Sequence, residues 1–159
     1  MDTLYQSKRN KSFRKNGQLL IPVLLADFFS YEQVVLTNAG LIKELHKMRV
    51  AGKTLRYAME MFAPAFGSVF QKGLEELKKA LETMGAIHDC DVCIDWLNAY
   101  IAELQSEQNP PMETDPIQTV KQLLSEQQIL RQKKYLLFCR VLRKWKQGEF
   151  VQTLVHSLQ

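Results

Sequence analysis

Apolar side chains recur at three- and four-residue intervals through most of this chain, and no stretch alternates apolar with polar residues as a half-buried strand does. Turn residues are scarce, with 7 Gly and 5 Pro among 159 residues. A chain patterned this way can bury its apolar stripes only by packing helix on helix. It is therefore expected to be all-α, a bundle of five to six helices around one core. With 46% hydrophobic and 24% charged residues it carries enough apolar surface for a compact domain, which excludes wholesale disorder and fibrous repeats. No self-similarity at solenoid length is present.

The punctuation divides the pattern into segments. Residues 1–17, with Lys8, Arg9, Lys11, Arg14, Lys15 and Gly17, read as a basic N-terminal arm, and residues 18–159 as a single helical domain. Residues 19–36 form a strongly apolar helix with Pro22 in its first turn, where a missing N–H costs least. Thr37 and Asn38 are capping residues for a helix over 39–62. After the break at Pro64 and Gly67, a third helix covers 68–84, with Gly85 placed to end it, and a fourth covers 87–104. Residues 106–116 (SEQNPPMETDP) read as a loop. A long helix over 117–145, Gly148 and a short terminal helix complete the chain.

The apolar run at 19–29 is broken by Pro22 and Asp27 and falls below the roughly 20 residues that a membrane span needs. The polar, basic start does not read as a signal peptide. Cys90, Cys93 and Cys139 are an odd number in a chain large enough to fold without disulfides, so reduced thiols and a cytoplasmic setting are expected.

Net charge is only +4, but it is unevenly placed. Residues 1–60 carry 10 basic and 5 acidic side chains, residues 61–115 carry 3 and 10, and residues 116–159 carry 8 and 2. Either the basic segments fold onto the acidic one, or a polyanion is held between the basic parts.

The basic groups of the second helix fall in a line. At about 100° per residue, His46, Arg49, Lys53 and Arg56 share a stripe about 80° wide and about 15 Å long. It abuts the edge of the apolar face made by Leu41, Leu45, Met48, Leu55, Met59 and Phe62 instead of lying opposite it. A solvated face usually mixes signs for i,i+4 pairs, whereas only Glu60 stands close to this stripe. Such a line suits several phosphates in a row better than one small carboxylate. The alternative is pairing with the acidic middle segment, Glu75, Glu76 and Glu82 among it. On the long late helix, Arg131 and Lys134 fall inside the apolar sector. They either snorkel at the edge of the core or line an anion-filled groove.

The run His88, Asp89, Cys90, Asp91, Cys93 lacks the second, distant pair of ligands that a structural zinc site draws on, so no metal is expected and core-facing cysteines are the better reading. There is no Gly-rich phosphate loop, nucleophile elbow or His-Glu-x-x-His helix, and nothing sets a nucleophile beside a base, so neither enzymatic activity nor a cofactor is expected.

Two blocks, LHKMRVAGKTLRYAMEMF at 45–62 and LKKALETMGAIHDCDVCIDWL at 77–97, resemble the CHAD family, the conserved histidine α-helical domain. The likeness lies in a His-x-x-Arg helix continuing to Lys-x-Leu-Arg-Tyr, then a helix ending near Leu-Gly and a following Asp-x-Asp-Val. Here Met84 precedes the glycine. The resemblance implies an all-helical fold whose basic face binds inorganic polyphosphate, with His46, Arg49, Lys53 and Arg56 matching the helix motif and Lys79 a further basic position. Thr54, Leu81 and His88 depart from residues common in the family. Typical members carry two motif-bearing halves related by a pseudo-twofold axis, and this chain shows one such motif. The resemblance therefore implies a homodimer, or replacement of the missing half by the helices that carry Arg131 and Lys134.

The expected function is non-catalytic binding of inorganic polyphosphate or a similar extended polyanion. The alternatives are a helical scaffold docking an acidic protein surface and an accessory subunit of a phosphate-metabolism enzyme. Nucleic acid is less favoured because the stripe has no aromatic residues within it.

Overall fold

A computed structural model describes residues 13–106, 116–148 and 150–159. Its elements are α1 (Phe13–Ser30), α2 (Glu32–Thr37), α3 (Ile42–Phe62), a 3-10 turn (Ala63–Ala65), α4 (Ser68–Ser106), α5 (Pro116–Gln147) and α6 (Phe150–His156). The protein is an all-α helical bundle, as the apolar spacing predicts. Helix α3 lies between α1 and α4, and α4 pairs along its length with α5.

Four boundaries differ from the sequence expectation, one being that the helix read over 19–36 is divided at Tyr31 into α1 and α2. Helix α1 begins at Phe13, inside the stretch read as an arm, so Pro22 lies in the helix interior. Tertiary contacts recruit this extra turn. Phe13 packs on Phe62 with ring centroids 4.7 Å apart, and Arg14 donates to the Ala65 carbonyl at 2.6 Å. Gly17 is buried, with Phe62 and Phe66 about 3.0 Å from where a Cβ would stand. The rest of the arm, residues 1–12, lies outside the described residues, as does 107–115 of the loop. The stretch Phe13–Thr37 is long and apolar enough, by length and composition, to cross a membrane; in this fold its Ile21, Leu25 and Phe28 enter the core.

At the start of α3, Asn38 does not cap the helix. Its Oδ1 accepts a bond from the Gly40 N–H at 2.8 Å, turning the chain so that α3 starts three residues later than expected, at Ile42.

Gly85 does not end a helix. Helix α4 runs unbroken for 39 residues because Leu77, Leu81, Met84 and Ile87 keep one helical register across the glycine and are all buried. Burying such side chains contributes about 1.5–3 kcal/mol each, against roughly 1 kcal/mol for a glycine in a helix interior.

Gly52 is the glycine the packing needs. A Cβ there would stand 2.6 Å from Leu81 of α4 and 2.9 Å from the Phe28 ring of α1, and Phe28 is fully buried. The missing side chain lets three helices meet around Met48, Leu55 and Met59.

Opposite this crossing, the Tyr135 hydroxyl of α5 donates to the Val35 carbonyl of α2 at 2.5 Å. Burial foremost, then the adjoining Cys139, pushes this phenol up to about 12. An unfolded tyrosine loses its proton near about pH 10. Below that pH the contribution of Tyr135 to stability is complete, and it is lost as pH rises toward 12 because the unfolded chain releases the proton first.

These details set the expected effects of three substitutions. Gly52→Ala should lower stability by about 1 kcal/mol, overpacking outweighing the gain in helix propensity. Gly85→Ala, whose Cβ would meet only Arg49 at 3.9 Å, should raise it by about 0.5–1 kcal/mol; paired thermal melts give both signs. Tyr135→Phe should lose about 1–3 kcal/mol at neutral pH, through the stranded Val35 carbonyl, yet show a shallower loss between pH 10 and 12 in denaturant titrations.

Candidate functional site

The stripe of α3 faces the seam with α4. The two helices run antiparallel, so His46 meets His88, Arg49 meets Gly85, Gly52 meets Leu81, and Glu60 meets Lys78. The His46 and His88 rings stand 5.5 Å apart between centroids, tilted by 45°. His46, Arg49, Met84, His88 and Asp91 line a cleft of only about 10 Å³. That is about the least space a single water needs. Nothing is enclosed here; the seam offers an exterior line of donors.

Arg49, Lys53 and Arg56 are half-buried and His46 is exposed. Among the described residues, neither Arg49 nor Lys53 has a carboxylate within 4.0 Å. Arg56 lies 4.5 Å above the Tyr57 ring, and its Nε, 3.9 Å from Glu60, is buried without a hydrogen-bond partner. The expected alternative, pairing with the acidic middle segment, is not what these residues do. Glu75 binds Lys78 of its own helix, and Glu76 accepts from Trp145 Nε1 at 3.1 Å.

Other predicted positions lie elsewhere. Arg131 neither snorkels nor lines a groove. Its Nε binds the buried Asp91 carboxylate, and the pair locks α5 to α4 with 12% and 6% of the side chains exposed. One of its terminal nitrogens is buried without a partner. Lys134 stands near Cys90, on the α5 side of α4 and thus across that helix from the stripe. Lys79 is exposed beside Glu75 and Glu76, turned about 100° from Lys78.

Two residues join the seam that the motif alone did not place there, Lys78 and His88. Their signal was the antiparallel register, in which the numbers of facing α3 and α4 residues have a nearly constant sum. Lys78 reaches Glu60 at 3.4 Å and Glu75 at 2.9 Å; these two carboxylates hold its ammonium above the usual lysine range, Glu75 foremost.

Among the described residues, no three His, Cys, Asp or Glu side chains are grouped to hold a metal ion. Cys90 and Cys139 are buried, and burial foremost pushes the Cys90 thiol up, away from reactive thiolate character.

This all-helical fold, with a His-x-x-Arg stripe laid along a helix seam, defines a class of α-helical domain. A family model described as the CHAD domain matches residues 21–158, and the chain belongs to that family. No curated protein and no solved structure matches it.

Asp91 is the residue on which this region stands. Removing it strands a buried guanidinium, so Asp91→Ala should cost about 3–5 kcal/mol in chemical denaturation, whereas Asp95→Ala, at an exposed position, should stay within about 0.5 kcal/mol.

Proposed function

We propose that this CHAD domain binds inorganic polyphosphate, or a similarly extended polyanion, without catalysing its breakdown, along the α3–α4 seam. The observation that carries the reading is a pair of half-buried cations, Arg49 and Lys53, with no carboxylate partner among the described residues, in line with Arg56 and its unbonded Nε. Leaving half-buried cations unpaired costs stability, and a bound row of phosphates would supply the missing charge.

Arg49 and Arg56 offer forked donors to phosphate oxygens, and Lys53 and Lys78 supply compact charges. His46 and His88 face each other across the seam, and each offers at least one N–H to a phosphate oxygen. The stripe spans about 15 Å, so it engages several phosphates of a chain at once and a pyrophosphate only in part. Lys79, Arg131 and Lys134 take no direct part in this arrangement.

The test is a titration with long-chain polyphosphate, pyrophosphate and single-stranded RNA at two salt concentrations. Affinity should rise with phosphate chain length and fall steeply with salt, as counterion release requires. Arg49→Ala and Arg56→Ala should each weaken polyphosphate binding about tenfold, equivalent to about 1.4 kcal/mol, with helical circular dichroism unchanged. Equal, weak binding of all three ligands would sink the reading, and release of phosphate on incubation would overturn its non-catalytic part.

A further inference from the structure

Past the N-terminal end of α3, helix α4 continues with one side bare. Trp96 is 63% exposed and stacks on Tyr100, ring centroids 5.5 Å apart and planes within 12°. On α5, Leu123, Leu130 and Leu137 recur every seven residues and are 45%, 40% and 47% exposed. The two helices are held together there by a separate small core of Leu97, Ile101 and Val120. Winding outward from that shared seam, the aromatic pair and the leucines fall on the same side of the hairpin, away from α1.

The charges flanking these strips are opposite in sign. From residue 80 to 106, α4 has five acidic residues and no Lys or Arg, whereas α5 has eight basic residues and one acidic residue, Glu126. Asp89 and Glu103 border the aromatic strip, and Lys133 and Arg140 border the leucines, all four exposed. The face thus carries its own electrostatic complement.

We propose that this face pairs with the same face of a second copy, each α4 lying on the α5 of the other chain. An isologous pairing presents identical surfaces to each other. Here it matches acid to base twice over, while α4 on α4 would set acid against acid. Trp and Tyr are the residue types that most often dominate binding energy at such centres, and leucines at seven-residue spacing suit helix-to-helix interdigitation. The exposed Leu19 and Val23 of α1 form another apolar patch, bordered by Lys15 and Asp27, but it presents two apolar side chains where the α4–α5 face presents five.

The full chain in light scattering should show twice 18.4 kDa. Trp96→Ala and Leu130→Ala should shift it toward monomer without loss of helical signal, since both side chains are largely exposed. The decisive arm uses charge reversal. The double variants Asp89→Lys with Glu103→Lys, and Lys133→Glu with Arg140→Glu, should each be monomeric alone and form a mixed dimer when combined, because only the mixture sets acidic against basic side chains on both helix pairs. A monomeric parent chain, a dimer indifferent to Trp96→Ala, or charge-reversed variants that fail to pair on mixing would each overturn the proposal.

Discussion

The arrangement turns on a side chain that is absent. With only hydrogen at position 52, α3 settles against Leu81 of α4 and Phe28 of α1 at distances a methyl group would not allow. That contact sets the separation of α3 and α4, and so decides whether a line of cations on one helix meets the other at all. His46, Arg49, Lys53 and Arg56 are fixed along α3 by periodicity, but their relation to His88, Gly85 and Lys78 exists only because the helices are this close. The buried Asp91–Arg131 pair does the complementary job where α4 meets α5. A pair so enclosed contributes little net stability compared with a well-packed apolar substitute; its directional bonding fixes how α5 is placed along α4.

Charge is sorted by helix as well as by sequence. The acidic middle segment does not serve chiefly to neutralise the stripe. Its carboxylates are taken by Lys78, Trp145 and Arg131 or remain in solvent, and Arg49 and Lys53 are left facing outward. The nearly neutral total of +4 conceals two cations, Arg49 and Lys53, that the fold keeps out of reach of the acidic segment.

Much of this was legible beforehand. Helical spacing gave the all-α class, and the blocks at 45–62 and 77–97 led to the family that the residue 21–158 match bears out. The failures came where tertiary contacts outweighed local signals. Gly85 reads as a stop because glycine usually is one, yet the apolar stripe on either side of it overrides a cost of about 1 kcal/mol. Phe13 to Gly17 read as polar and basic, and become helical through Phe62, Phe66 and Ala65, partners some fifty residues away. Arg131 was correctly placed in the apolar sector of its helix, but its partner Asp91 lies 40 residues earlier. No single-helix wheel can show such a pairing. The resemblance points to Lys79, and only the antiparallel register shows that its neighbour Lys78 is the lysine at the seam.

That Gly85 leaves α4 unbroken has a mechanical side. From His88 to Ser106 the helix extends about 27 Å past the histidine pair, with no hinge between. A tilt of about 5° where α4 meets α3 would swing its far end by roughly 2 Å, more than a side-chain packing layer tolerates without rearrangement. In place of the joint that the glycine suggested, the protein has a stiff arm, one half of which lies against the cations while the other carries Trp96 and Tyr100.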